Sequence, residues 1–198
     1  GRLAFRGLAA YGARWRGNDG PFAALVAAFG ALWPTGPEPV DLPAWAVQGL
    51  KALVGTVPGG DPHRIWPDEA AFAAAKAVAL LVFVAVWLQR TRRATGLAGF
   101  LGPATLALFL LAPVVHPWYL LWPLAFAAVA AGPTPAWASA ARTWALTAWL
   151  AYLPRVAWLA EGRWAEGVWP RALEYLPVLA VLALAAAQRY KNRPPGGA

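Results

Sequence analysis

Five apolar blocks, at residues 72–88, 97–115, 117–131, 136–153 and 172–187, dominate the chain. A helix needs about 17–25 apolar residues to cross the hydrocarbon core of a bilayer; most of the blocks reach that length, and 117–131 is short. The residues between them do not restore a soluble balance. The chain is 60% hydrophobic and 13% charged, against about 45–50% and 25% in a soluble globular domain. The blocks predict an all-α fold, a polytopic transmembrane helix bundle over residues 72–193. Its spans are expected near 72–89, 96–115, 117–132, 136–153 and 172–188. An extracytoplasmic, interfacial region (1–71) precedes the bundle, and a short cytoplasmic tail (194–198) follows.

Charge sets the orientation. The net charge of +8 would suggest nucleic acid in a soluble protein. Here the cations gather at the ends of apolar blocks, where they meet anionic lipid, so membrane lipids are the expected partner and nucleic acid is not. Two basic clusters, "QRTRR" at 89–93 and "QRYKNR" at 188–193, lack acidic neighbours, and the positive-inside rule places both in the cytoplasm. Four blocks lie between them, an even number of crossings. The outer side then holds residues 1–71, the turn at His116 and a loop at 154–171. Lys76 and Arg142 fall inside spans but near their ends, within reach of the interface by snorkelling. No signal peptide is recognisable. The chain opens without a Met and in mid-pattern, so it is expected to be a piece of a longer polytopic protein. Cysteine is absent, which rules out disulfides and thiolate metal sites.

The outer region is broken by Pro and Gly. Within it "FAALVAAFGALW" (22–33) would be about 18 Å long as a helix, too short to span comfortably, and is expected to be re-entrant or buried. The segment "LPAWAVQGLKALVG" spaces Trp45, Val47, Leu50, Leu53 and Val54 against polar Gln48 and Lys51. That pattern predicts a short amphipathic helix over about 42–54, lying on the membrane surface. His63, in "GGDPHRIWPDE", has Asp61, Arg64, Asp68 and Glu69 nearby. Two ligand-type residues do not make a metal site, so a solvated loop is expected, with no metal and no identified cofactor.

Two segments carry polar chemistry. In "APVVHPWYLLWP" (112–123), Pro113 would free the carbonyl of Phe109 and Pro123 that of Tyr119, while Pro117 suits the first position of a helix. His116 would then immediately precede a helix whose exposed N–H groups favour an anion, and its imidazole can donate a hydrogen bond or shuttle a proton. Trp118, Tyr119 and Trp122 read first as an interfacial aromatic belt. In "YGARWRGNDGPF" (11–22), Arg14 and Arg16 have the geometry to grip a phosphate. Asn18 and Asp19 can bind sugar hydroxyls, and Asp19 can act as a base or cap the helix that Pro21 opens.

"WRGNDGPF", "LAPVVHPWYLLWPLAF" and "LEYLP" (173–177) together resemble the C-terminal half of bacterial polytopic glycosyltransferases of the GT-C fold. Within that fold the likeness is to polyprenyl-phosphate-mannose-dependent mannosyltransferases of glycosyltransferase family 87. The resemblance implies a hexosyltransferase of the cytoplasmic (inner) membrane, multi-pass, with its site facing outward. It would move a sugar such as mannose from a polyprenyl-phosphate donor to a glycolipid or glycan acceptor of the cell envelope. It also implies donor contacts from Arg14, Arg16, Asn18, Asp19 and His116, with Trp118 and Tyr119 stacking on sugar or lipid. Asp19 and His116 are the candidate catalytic residues. In the fold at large the catalytic carboxylate lies in a first outer loop that these residues do not include, so the piece alone is expected to be inactive. The competing reading is a transporter or flippase, with the prolines as hinges and His116 as a proton relay.

Overall fold

The computed structural model describes residues 17, 19–33, 36–55, 61–93, 96–130, 134–162 and 167–192. These residues are overwhelmingly helical, with one isolated parallel bridge between Gly17 and Val114. The chain divides into two compact units, 1–84 with 111–114, and 85–110 with 115–198.

In the first unit, α1 (Gly20–Gly30) starts with Pro21 in its first turn, where proline's missing N–H costs nothing. It packs through Phe22, which is fully buried against Ala75 and Ala79 and meets the Phe72 ring edge-on at 5.4 Å. α2 (Ala44–Val54) follows Pro43 and stops at Gly55, whose φ of 69° favours glycine. The Gly55 N–H closes the helix on the Lys51 carbonyl at 2.7 Å.

The orientation of α2 departs from that of a helix floating on a membrane. Val47, Lys51 and Val54 are buried, and Trp45 faces outward. Lys51 turns inward because Glu69 waits there: Lys51 Nζ donates to Glu69 Oε2 at 2.9 Å and lies 5.7 Å from the Trp66 ring. Glu69 also accepts from the Trp66 N–H at 3.3 Å. Burying one charge is prohibitive, but a bonded pair makes it tolerable. Lys76 likewise turns into the protein, donating to the Leu53 carbonyl at 3.1 Å and lying over the Phe72 ring.

The helix carrying Glu69 and Lys76, α3 (Pro67–Arg93), is 27 residues long, about 40 Å at the α-helical rise. Asp68 and Glu69 in its first turn and Arg90, Arg92 and Arg93 in its last complement the helix dipole. Its buried positions are mostly alanines (70, 71, 73, 75 and 79), while Leu81 is 68% exposed and Leu80, Val84 and Leu88 also face outward. A soluble surface rarely carries so large a contiguous apolar face; lipid accounts for it.

The second unit contains the end of α3 and the remaining helices. These are α4 (Leu97–Leu110), a 3-10 turn (Pro117–Leu120) leading into α5 (Leu121–Val129), α6 (Ala136–Thr147), a 3-10 stretch (Ala148–Tyr152), α7 (Leu153–Glu161) and α8 (Val168–Lys191). α4 packs on α5 and α6, and α6 on α8. Gly102 of α4 lets the Trp137 ring of α6 lie against the helix backbone, where a Cβ would stand inside the ring's contact distance.

Among the described residues, α3 and α8 are by themselves long and apolar enough to cross a membrane; α1, α4 and the run Pro117–Val129 are shorter apolar helices. α4 ends at Leu110, three residues before Pro113, because a residue preceding proline is pushed out of the α region. Pro113 therefore stops a helix and does not strip Phe109 of a donor within one. The outer loop expected at 154–171 is partly helical. Pro154 and Pro170 occupy the first turns of α7 and α8, so they open helices where loops were expected. As a result α8 starts at Val168, and Glu174 lies a turn inside it.

Candidate functional site

The turn at His116 gathers three of the candidate residues in the second unit. His116 is extended (φ −98°, ψ 141°), and Pro117 begins the 3-10 turn behind it. Leu120, buried, anchors that turn. The imidazole lies flat on the Trp118 indole, with centroids 4.4 Å apart and planes 5° from parallel, and meets the Tyr119 ring at 5.3 Å and 86°. Tyr119 in turn stacks on Phe109 at 5.5 Å. The result is an aromatic cluster whose outermost plate, Trp118, is 53% exposed. Such a face suits the apolar side of a sugar ring or an isoprenoid chain.

Burial among these rings pushes the His116 imidazole below its ordinary pKa. It is therefore neutral at neutral pH, with one ring nitrogen donating and the other accepting. The helix start offers less to an anion than an open α-turn would. Pro117 has no N–H, and the Tyr119 N–H is committed to the His116 carbonyl at 2.9 Å. Phosphate binding at this place would need cationic side chains.

Asp19 stands in the first unit, fully buried. It occupies the residue before α1, but its φ of −105° and ψ of 38° are not the extended capping geometry, and its carboxylate makes no bond to the first-turn amides. Only its carbonyl joins the helix, accepting from the Ala23 N–H at 2.6 Å. This geometry removes the capping reading of Asp19. Two residues before it, the Gly17 N–H donates to the Pro113 carbonyl at 3.2 Å and Gly17 bridges to Val114. Gly17, Pro113 and Val114 all belong to the first unit. Arg14, Arg16 and Asn18 lie outside the described residues.

His63 takes no part in this arrangement. Its N–H closes a turn on Asp61 Oδ1 at 2.8 Å, and Arg64 pairs with Asp61 at 3.5 Å on the surface. Among the described residues no three His, Asp or Glu side chains gather as a metal site would require.

Sequence reasoning missed one buried polar cluster in the second unit. Glu174 is 1% exposed, and its Oε1 accepts from Trp144 Nε1–H at 2.7 Å. The Thr147 hydroxyl donates to the Glu174 carbonyl at 2.9 Å, and Tyr175 packs on the Trp144 ring at 5.0 Å. The available signal was an acidic residue within an apolar run, which is rare in membrane helices. The cluster joins α6 to α8 and holds a carboxylate away from lipid.

A family model for the MptB C-terminal domain matches residues 51–188, well over half of the chain. The match contains His116, Trp118, Tyr119 and Glu174 and leaves residues 14–19 outside it. No curated protein and no solved structure matches the chain. The family level read from the motifs is thus borne out in its coarser form, a GT-C mannosyltransferase; family 87 is not what the match identifies. A chain with lipid-facing apolar helices and a histidine-aromatic turn inside the matched region belongs to the MptB C-terminal domain family, whose namesake is a mannosyltransferase of the GT-C type.

Proposed function

We propose that the chain forms the C-terminal part of a multi-pass hexosyltransferase of the cytoplasmic membrane. In this reading the enzyme moves a sugar such as mannose from a polyprenyl-phosphate carrier to a glycolipid or glycan acceptor at the outer face. The observation that carries the proposal is the aromatic turn at His116 lying within the region matched by the family.

The chemistry assigns the parts. Trp118 and Tyr119 pack against the sugar or the first isoprene units. Neutral His116 hydrogen-bonds the donor or takes the acceptor's proton, since a neutral imidazole is competent for either. The family resemblance adds Arg14 and Arg16 as phosphate contacts, which guanidinium groups make best, and Asn18 and Asp19 as contacts to sugar hydroxyls. Arg90 and Arg189 line one cleft in the second unit, so the two basic segments share an end of it. The positive-inside rule makes that end cytoplasmic, which favours an outward-facing His116.

Replacing His116 with alanine in the full-length protein tests the proposal. Transfer from a polyprenyl-phosphate sugar should fall about 100-fold or more, the usual contribution of a general acid-base group, with membrane insertion unchanged. Undiminished transfer would remove the turn from the mechanism.

A further inference from the structure

Away from the His116 turn, a cleft of about 360 Å³ opens in the second unit between the ends of α3 and α8, near the small end of the roughly 300–1,000 Å³ range of ligand pockets. Arg90 and Arg189 enter it from the two helices, Trp137 of α6 forms a wall, and Leu182 and Tyr190 complete the lining. Among the described residues no carboxylate lines the cleft. The two guanidinium groups repel one another, and Arg93 adds to the repulsion at Arg90. Arg90 Nε is buried and has no hydrogen-bond partner among the described residues. An orphaned buried donor of a charged group is expensive, and like charges side by side are more so.

Helix dipoles do not remove the excess. Each helix C-terminus supplies roughly half a negative charge, whereas the last turns of α3 and α8 carry Arg90, Arg92, Arg93, Arg189 and Lys191. The cleft is therefore strongly electropositive. Its other wall, of Leu182, Ala185 and Ala186, continues one turn along the same face of α8 to the outward-facing Leu179. A ligand that fills the cleft and follows this surface has an anionic head and an apolar tail.

We propose that the cleft binds the phosphate headgroup of an anionic glycerophospholipid, with Arg90 and Arg189 clamping the phosphate and the acyl chains lying along α8. The site is separate from the proposed sugar-transfer site and does not depend on that activity; it rests on the membrane reading alone. Its role is to fasten the ends of α3 and α8, which would otherwise push apart.

Native mass spectrometry of the full-length protein, titrated with phosphatidylglycerol or phosphatidylcholine in detergent, tests the assignment. The wild type should retain one phosphatidylglycerol in preference to phosphatidylcholine. Arg90→Gln and Arg189→Gln should each weaken that retention roughly fivefold, and the pair roughly thirtyfold, the effect expected of arginines at an anionic lipid surface. Arg92→Gln, outside the cleft, should change it less than either. Circular dichroism identifies a misfolded double variant, in which case the single variants decide. Equal retention of both lipids, or retention indifferent to Arg90 and Arg189, overturns the proposal. So does binding of inorganic phosphate alone with the same arginine dependence, which would assign the cleft to a soluble anion.

Discussion

Gly99 and Gly102 lie three residues apart in α4, and replacing each with alanine should change stability in opposite directions. In a helix interior, glycine costs about 0.5–1 kcal/mol relative to alanine through backbone entropy. A Cβ at Gly99 would meet nothing within 4 Å, so Gly99→Ala should stabilise by about that amount. At Gly102 a Cβ would enter the Trp137 ring, touching its Cη2, Cζ3 and Cζ2 atoms. Trp137 is itself buried and cannot swing away without opening a void. Overpacking of this kind costs about 1–3 kcal/mol. A second penalty arises because Pro103 follows, and proline's Cδ crowds a Cβ on the preceding residue. The net effect of Gly102→Ala is a loss of about 1–2 kcal/mol after the entropic gain. Thermal unfolding of the detergent-solubilised full-length protein, followed by tryptophan fluorescence, reads both variants. Trp137→Leu should restore part of the loss in the Gly102→Ala background, giving a non-additive cycle. Equal stabilisation by both alanines would refute close packing of Trp137 on α4.

The buried pair in the first unit should behave non-additively too. Lys51→Met alone should cost about 3 kcal/mol in the same unfolding assay, because Glu69 is left uncompensated, and Lys51→Met with Glu69→Leu should recover most of it; additive losses would contradict this. Trp144→Phe keeps an aromatic ring but removes the donor to Glu174, and should cost about 1–3 kcal/mol, the penalty of leaving a buried acceptor without its bond; stability equal to wild type would show that the bond contributes nothing. Burial lowers the folded pKa of His116 below its ordinary value of 6.5, so below pH 6.5 the unfolded chain binds the proton more readily and stability falls with acidity. Transfer that uses the neutral ring should hold level through pH 6.5 and fall only below it; a pH–rate profile whose acid limb is centred above 6.5 would contradict the reading.

Much of the helical structure was written locally. Pro21, Pro117, Pro154 and Pro170 stand in first turns, where proline's fixed φ and missing N–H are harmless, and each marks a helix start. The His116 cluster was equally local, since a turn beginning at Pro117 brings residues 116, 118 and 119 together without help from distant elements. Helix ends were less legible: the block at 97–115 is apolar throughout, yet α4 closes at Leu110 because Pro113 restricts what precedes it. Hydropathy does not register that restriction. Nor could it foresee that 154–171 would be helical at both ends, since prolines in a polar stretch read as loop until their place in a first turn is known.

The inward faces were the least legible, for a reason that belongs to lipid. In water a helix turns its largest apolar residues inward, so hydrophobic periodicity reports the packed side. Lipid tails are as apolar as leucine, so association in a bilayer relies on close van der Waals contact and polar bonds. α3 buries alanines and shows Leu81 to the outside, Gly102 admits Trp137, and Trp144 reaches Glu174. The Lys51–Glu69 pair follows the same preference, joining residues 18 apart in sequence on different helices. Polar residues that hydropathy places at the interface thus hold the interior, and small residues that carry little hydropathy signal define the contacts. In such a chain a lone carboxylate or lysine within an apolar run is a sharper marker of the packed face than the apolar residues around it.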